Sequence, residues 1–293
     1  MDTKRNKRVG FPDVETYIEL RRNLCNKAVY LQHKINGSER YLCHYTSLDA
    51  AINIIRSKRW YVGSPKNMND GLELSHASGF LWDKIFFASF MIEPKESIAM
   101  WSMYAQPWEK GVMIKIPVEQ FKAWVNSILL ISSADSSTKK AHGDDISYST
   151  NLFFHAVAYT NADSVDAGEP EIITCGGEEN RVLSKATNVA ELVGFIKDSA
   201  WSYENEFRLR VEVTSDHVYD AVSIQIPDAV IDTMEIVAGP RFAGNLSERI
   251  GQEIQRQLKF DQSLFSDKLK WIPCDTCSEK CKGDNCSKHK ITD

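Results

Sequence analysis

Short apolar segments separated by polar turns fill the middle of the chain and limit its fold more than any other feature. Such segments are typical of buried strands. Here they follow one another without the regular alternation of strand and helix that builds parallel sheets. The clearest examples are KIFFASFM, GVMIKIP, NLFFHAVAYT, VSIQIP and MEIVAGP. We therefore predict an α+β fold.

The 293 residues divide into three parts. Residues 1–38 carry apolar side chains at helical spacing and are predicted to form a helical adaptor. Residues 39–272 form the predicted core, and residues 273–293 are a Cys/His-rich tail. Within the core we predict an exposed loop at 132–149, which is rich in Ser, Asp, Lys and Gly. We also predict a helix from about 187 to 199.

Composition and charge exclude several classes of protein. Hydrophobic residues make up 43% of the chain and charged residues 26%, as in globular proteins. No apolar run reaches the roughly 18 residues that cross a bilayer, and the basic N-terminus lacks the apolar stretch of a signal peptide. We expect a cytoplasmic protein without a membrane partner. The net charge of −5 restricts any nucleic-acid contact to local basic stretches such as residues 4–8.

The segment YENEFRLRVEV alternates apolar and charged residues and is predicted to be a strand. Phe207 and the alternate residues after it would point to one face, and Glu204, Glu206, Arg208 and Arg210 to the other. Two interpretations of the charged face stay open: a pair of catalytic carboxylates, or an ion-pair ladder in solvent. His44, in YLCHYTSL, is likewise either a structural histidine or part of a site.

Four blocks of sequence occur in the order typical of a bacterial domain family of uncharacterised function. They are YLCHYTSL (41–48), MNDGLE (68–73), MWSMYA (100–105) followed by Gly111, and WSYENEFRL (201–209). The later IVAGPRF also fits the pattern. The chain resembles this family over roughly residues 40–260.

The chain also resembles, more remotely, ADP-ribosyltransferases of the His-Tyr-Glu type. The resemblance rests on a histidine on the first core strand, a tyrosine on the second and a glutamate on a late strand. It implies two small antiparallel sheets, with flanking helices, that form a cleft for NAD. The implied NAD-binding residues are His44, at a ribose hydroxyl, and Tyr61, stacked on nicotinamide, with Tyr45, Thr46 and Ser64 beside them.

The resemblance also implies a role for the glutamates. Breaking the bond between nicotinamide and ribose creates positive charge, which a carboxylate stabilises. Glu206 is our choice for that carboxylate and Glu204 for the group that orients or deprotonates the acceptor, although the two roles can be exchanged. The acceptor side of the cleft can include Asn69, Asp70, Glu73, Trp101 and Tyr104.

The tail concentrates potential metal ligands within sixteen residues. Their spacing, C-x2-C-x3-C-x4-C-x2-H, suits a structural zinc ion held by four ligands. A thiol-rich tail without metal is the alternative. The candidate ligands are Cys274, Cys277, Cys281, Cys286 and His289.

These features predict an NAD-dependent ADP-ribosyltransferase that modifies a macromolecule, RNA, DNA or protein. By analogy, it would be a toxin or defence effector with an inhibitory antitoxin partner. Two alternatives stay open. One is a catalytically inert binding module whose glutamates form surface salt bridges, and the other is an NAD glycohydrolase that uses water as acceptor.

Overall fold

The computed structural model of the protein describes residues 41–68, 83–92, 96–160, 173–174, 182–183, 194–266 and 268. The predicted adaptor, the predicted zinc ligands and Asn69, Asp70 and Glu73 therefore lie outside the described residues. Within the described part of the chain, no helix has the length and apolar character needed to span a membrane.

The described residues form a mixed α and β structure. The strands are β1 (Tyr41–Ser47), β2 (Arg59–Gly63), β3 (Ile85–Ile92), β4 (Gly111–Pro117), β5 (Ile131–Ala134), β6 (Ala141–Asp145), β7 (Thr150–Ala156), β8 (Ala158–Thr160), β9 (Ile173–Thr174), β10 (Val182–Leu183), β11 (Ile196–Asp198), β12 (Glu206–Val213), β13 (Ala221–Gln225), β14 (Glu235–Ala238) and β15 (Lys259–Gln262). The α-helices are α1 (Leu48–Ser57), α2 (Ile98–Tyr104), α3 (Val118–Asn126), α4 (Asp228–Ile231) and α5 (Leu246–Gly251). Short 3-10 segments occur at Pro65–Asn67, Trp108–Lys110, Ser147–Ser149 and Ser199–Glu204.

Eleven strands belong to one sheet, in the order β15-β14-β4-β1-β3-β2-β13-β5-β6, with β12 and β7 branching from β3. Its pairs are antiparallel except β14 with β15. Two small pairs stand apart from this sheet: β9 with β10, and the parallel pair β8 with β11.

The sheet divides at β3. One edge of β3 is paired with β12 from Ile85 to Met91. The other edge is shared, because β1 pairs at Met91 and Ile92 while β2 pairs at Phe87. The strands β1 and β2 therefore separate along β3, and residues 88–90 lie between them. We call β15-β14-β4-β1 the first arm and β2-β13-β5-β6 the second arm.

The prediction of two small sheets is wrong as stated, although an antiparallel α+β structure with flanking helices is found. The reason is β3, IFFASFMI, because β1 and β2 both pair with the same edge of it. This shared edge joins the two arms into one large sheet.

Rings from both arms pack in one aromatic cluster beneath the sheet. His44 of β1 lies 4.9 Å from Trp60 of β2, Trp60 lies 5.1 Å from Phe90, and Phe90 lies 4.8 Å from Phe121, between ring centroids. The helix α1 buries Leu48 and other apolar residues and begins at Ser47, whose hydroxyl accepts a hydrogen bond from the amide of Ala50. Both arms are thus anchored to one core.

Two local predictions are wrong. Residues 132–149, predicted as a loop, contain the antiparallel pair β5 and β6. Ser132 and Ser133 are buried there, so small polar residues form an inner strand without the apolar pattern on which the prediction relied. The predicted helix at about 187–199 is replaced, in its described part, by the strand β11. Three residues are too short a strand to show a periodicity.

Candidate active site

A cavity of about 710 Å³ lies where the two arms separate. Its walls come from β1, β2, β3, α2, β11 and β12. The seven residues predicted for NAD binding and catalysis all line it: His44, Tyr45, Thr46, Tyr61, Ser64, Glu204 and Glu206. Segments far apart in sequence therefore meet at one cavity.

His44 is a neutral histidine that lies where β1 and β2 separate along β3. Its Nδ1 lies 3.0 Å from the carbonyl oxygen of Ser89, within the part of β3 that separates β1 from β2. Because a carbonyl only accepts, Nδ1 carries the hydrogen and Nε2 carries a lone pair. The ring packs 4.9 Å from Trp60. Burial lowers the pKa of His44, and nearby Lys139 acts in the same direction.

Tyr61 presents a half-buried ring to the cavity from β2. The ammonium of Lys139 lies 5.8 Å from the centre of this ring. Burial raises the pKa of the Tyr61 hydroxyl, and the charges of Asp135 and Asp220 raise it further. The phenol therefore stays protonated, and its aromatic face is the group it offers to a ligand.

Two of the predicted NAD-binding residues also have clear structural contacts. The hydroxyl of Tyr45 accepts a hydrogen bond of 3.1 Å from the amide of Ser97, and its ring packs edge-on against Trp101. The hydroxyl of Ser64 accepts from the amide of Lys66 and begins a 3-10 turn. Thr46 lines the cavity near the end of β1.

Two glutamates, a lysine and an arginine form a buried charged group in one wall of the cavity. Lys197 Nζ lies 2.6 Å from Glu204 Oε2 and 3.4 Å from Glu206 Oε2. Arg208 donates to both oxygens of Glu206, from Nε at 2.8 Å and from Nη2 at 2.7 Å. All four residues are 7% exposed or less.

The two glutamates do not share a strand face, contrary to the prediction. Glu204 is the last residue of the 3-10 turn Ser199–Glu204, and β12 begins at Glu206. Between them Asn205 adopts the left-handed conformation at φ 42°, which turns the chain. The carboxylates converge because Lys197 contacts both of them.

The charged face of β12 is not in solvent, which overturns the interpretation as an exposed ion-pair ladder. Arg208 is 0% exposed and Arg210 is 2% exposed. The segment before β11 helps to cover this face, since Arg208 Nη1 donates to the carbonyl oxygen of Gly194 and Arg210 lies over the ring of Phe195. Burial at this level makes unbalanced charge costly and favours the close ion pairs that are observed.

The surroundings displace the pKa values of the two glutamates in opposite directions. Burial raises the pKa of the Glu204 carboxyl, and this effect outweighs the opposing effects of Lys197 and of the Tyr104 hydroxyl. Burial acts on Glu206 in the same sense, but the charges of Arg208 and Lys197 and hydrogen bonds from Arg208 and Ser89 outweigh it, so the pKa of Glu206 is lowered.

The strand pair β8 and β11 brings further groups to the carboxylates. Lys197 belongs to β11, and the paired residue on β8 is Tyr159. The backbone amide of Glu206 donates a hydrogen bond of 2.9 Å to the hydroxyl of Tyr159. From α2, the hydroxyl of Tyr104 donates to Glu204 Oε1 at 2.5 Å. This places Tyr104 in the cavity as predicted, whereas Trp101 is fully buried in the core.

A family model described as "Protein of unknown function (DUF2971)" matches residues 100–209. That segment of the chain is similar to the DUF2971 family. It includes MWSMYA and WSYENEFRL, two of the blocks on which the predicted family resemblance rests. The DUF2971 segment supplies Tyr104, Tyr159, Lys197 and both glutamates to the cavity wall or its immediate surroundings. The strands β1 and β2, with His44 and Tyr61, precede it.

Two solved structures share a weak likeness with the chain. "Thermus sp. 2.9 DarT in complex with NAD+" has 12% identity and a TM-score of 0.34, with 78% of this chain and 96% of that chain covered. The same protein in complex with carba-NAD+ has 10% identity and a TM-score of 0.31, with 77% and 95% covered. Scores this low do not assign a ligand or a reaction to this chain. No curated protein matches it.

Several groups at the cavity were not predicted from the sequence. They are Lys197, Tyr159, Ser89, Arg59 and Lys139. Lys197 and Tyr159 belong to three-residue strands, and Ser89 is a small residue within an apolar strand, so periodicity does not distinguish any of them. The alternation of Glu206 and Arg208 was a usable signal for their ion pair.

The predicted zinc site is outside the described residues. Within the part of the chain that the structure describes, no group of three or more histidine, cysteine, aspartate or glutamate side chains is arranged to hold a metal ion. The zinc prediction for Cys274 and the other tail residues therefore stays a prediction.

Proposed function

We propose that this protein is an NAD-dependent ADP-ribosyltransferase that modifies a macromolecule. The observation that carries the proposal is that His44, Tyr61, Glu204 and Glu206, which come from three separate segments, line one cavity. A volume of about 710 Å³ lies within the range of roughly 300–1,000 Å³ that is common for small-molecule sites.

The chemistry of the cavity wall fits NAD. The face of Tyr61 suits stacking on the nicotinamide ring, and Nε2 of His44 can accept a hydrogen bond from a ribose hydroxyl. Arg59 and Lys139 also line the cavity and offer positive charge for the diphosphate. Arg59 is held by hydrogen bonds from Nη1 to the hydroxyls of Ser132 and Ser223, at 3.2 and 3.1 Å.

The proposed reaction separates the tasks of the two glutamates. The bond between nicotinamide and ribose breaks, nicotinamide leaves with the bonding electrons, and positive charge develops on the ribose carbon. Glu206, kept ionised by Arg208, stabilises that charge and accepts a hydrogen bond from the ribose 2′-hydroxyl. An acceptor atom bonds to the carbon, and Glu204, whose pKa is raised by burial, takes the proton that the acceptor releases.

The inert binding module in its predicted form, with glutamates in surface salt bridges, is contradicted because Glu204 and Glu206 are each 3% exposed. The acceptor, a nucleic acid or a protein side chain, and the role as a toxin or defence effector with an antitoxin partner stay predictions. Water as acceptor would use the same groups and would make the enzyme an NAD glycohydrolase.

The test is release of nicotinamide from NAD by the full chain, alone and with RNA, DNA or cell protein added. We expect release by the parent to depend on one added acceptor. Replacing Glu206→Gln should lower it by about 100-fold or more, because the stabilising charge is removed. This change also leaves buried cations without their partner, which should lower the stability of the protein by about 3–5 kcal/mol. Glu206→Asp is therefore measured beside it, because aspartate keeps the charge but has a shorter side chain.

Glu212→Gln is the matched control. Glu212 belongs to the same strand, is ion-paired with Arg210 at 3.5 Å and does not line the cavity. This variant should keep the parent's rate. Release that is independent of any acceptor would identify a glycohydrolase. No release from NAD under any condition, with folded parent protein, would refute the proposed function.

A further inference from the structure

Lys197 is the element of the charged group that contacts both carboxylates. Its ammonium lies 2.6 Å from Glu204 and 3.4 Å from Glu206, and it also lies 4.9 Å from the centre of the Trp201 ring. The strand β11 holds it by pairing with β8, with Lys197 opposite Tyr159. A side chain that is 7% exposed and held by a paired strand has a fixed position.

Arg208 is bound to the other glutamate. Two of its nitrogens, Nε and Nη2, donate to Glu206, and Nη1 donates to the carbonyl oxygen of Gly194 at 2.5 Å. These three contacts are thus directed to Glu206 and to the backbone. Lys197 donates to Glu204.

Among the described residues, the other groups that act on Glu204 are neutral or negatively charged. The hydroxyl of Tyr104, from α2, donates to it. Glu206 adds a negative charge from β12, and Tyr159 on β8 and Tyr203 in the 3-10 turn carry phenols whose pKa values are raised, first of all by burial. With Arg208 included, the charged group contains two cations and two anions, so removing Lys197 leaves one buried negative charge in excess.

We propose that Lys197 is a positioning residue that keeps Glu204 ionised beside Glu206, so that Glu204 can take the acceptor's proton. The inference rests on the proposed function for the fate of that proton. The ionisation of Glu204 is a property of the protein alone and can be measured without NAD.

The primary test is titration of the glutamate side chains, labelled with 13C at Cδ, by NMR in the full chain. Spectra of Glu204→Gln and Glu206→Gln assign the two signals. In Lys197→Met the titration of Glu204 should move to higher pH by about one unit or more, because a neighbouring cation is lost. Lys197→Arg keeps the charge and should restore most of the shift.

Lys115→Met is the matched control. Lys115 is also a largely buried, ion-paired lysine, 3.4 Å from Glu235, but it is not part of the cavity. Its removal should leave the titration of Glu204 unchanged. An unchanged titration of Glu204 in Lys197→Met would overturn the inference.

A second measurement uses the parent protein, so it tests the inference even if Lys197→Met does not fold. The 15N signal of Lys197 Nζ should change at the pH at which Glu204 titrates, because the two groups are in contact. A Lys197 signal that does not respond at that pH would overturn the inference.

Nicotinamide release supplies the catalytic readout. The acid limb of its pH profile should move to higher pH in Lys197→Met and return towards the parent's pH in Lys197→Arg. A lysine with a merely structural role would change the rate without moving this limb. If the parent releases no nicotinamide, the proposed function fails, while the two titrations still decide whether Lys197 controls Glu204.

Discussion

Glu204 and Glu206 acquire different proton affinities although one residue separates them. Burial acts to raise the pKa of both carboxyls, although other contributions lower the pKa of Glu206. Burial alone therefore does not distinguish the two groups. The difference comes from Arg208, which binds both oxygens of Glu206. Opposite pKa displacements in one site are typical of a carboxylate that stays charged beside one that exchanges a proton. Glu206 therefore suits the proposed role of the fixed charge, and Glu204 that of the base.

His44 should make the stability of the protein depend on pH. Its pKa in the folded protein is lowered by burial below the ordinary histidine value of 6.5. Between these two pKa values the unfolded chain binds a proton that the folded protein does not, so stability is full above about pH 6.5 and is lost as the pH falls. We expect the free energy of unfolding, measured in urea, to fall from pH 7 to pH 5.

The variant that tests this is His44→Asn, whose side-chain amide can still donate to Ser89 but cannot titrate. Its stability should depend less on pH, by about 1.4 kcal/mol for each unit by which the pKa of His44 is displaced. His217→Asn, at an exposed histidine, is the control for replacing a histidine by asparagine elsewhere in the chain. Equal slopes in the parent and in His44→Asn would show that His44 does not titrate as described.

The residue types that line the cavity were easier to predict from the sequence than the side chains that contact them. His44, Tyr61 and the two glutamates were selected by resemblance and do meet at one cavity. Their partners could not be selected in the same way, because Ser89 and Lys197 are ordinary residues whose importance comes from tertiary contacts. Whether Arg208 faces solvent or a buried carboxylate is likewise decided by the segment at Gly194 and Phe195, which covers it.

At the scale of elements, the short strand β11 depends on the glycine before it. Gly194 has φ of +79°, and its carbonyl oxygen accepts from Arg208. A Cβ atom at this position would lie 2.0 Å from the ring of Phe87. The glycine therefore allows both the backbone turn and the close approach of β11 to β3.

Gly194→Ala should destabilise the protein more than Gly244→Ala does. Gly244 has a similar φ of +85°, but a Cβ there would meet only the flexible side chain of Arg249, at 4.0 Å. The left-handed backbone should cost about 1–2 kcal/mol in either variant. The clash with Phe87 should add about 1–3 kcal/mol in Gly194→Ala. Urea unfolding measures both, and equal losses would mean that Gly194 is needed only for its backbone angle.

The errors in predicting elements have a common physical cause. Long apolar strands such as β3 and β4 were predicted because their pattern is set by their own residues. The strands β5, β6 and β11 were missed because they are short, polar or both, and because they form by pairing with neighbours that the sequence pattern does not identify. Tertiary pairing, rather than local propensity, decides their conformation.

At the scale of the whole molecule, β3 and the aromatic core connect two arms that separate around the cavity. The sequence predicted a cleft between two sheets but not that the sheets are joined, because only the pairing of both β1 and β2 with one edge of β3 reveals it. A ligand that fills the cavity would therefore contact both arms at once, with His44 on the first and Tyr61 on the second.

NAD should therefore protect both arms together. We expect slower hydrogen exchange, followed by mass spectrometry with and without NAD, in residues 44–46 of β1, residues 61, 63 and 64 at β2 and residues 88–90 of β3, all of which line the cavity. Binding to the folded state alone raises its stability by about 2.7 kcal/mol when NAD is present at 100 times its Kd. The strand β15, Lys259–Gln262, lies at the far edge of the first arm and serves as the internal control for local protection. Protection confined to one arm would show that NAD does not bridge the division of the sheet.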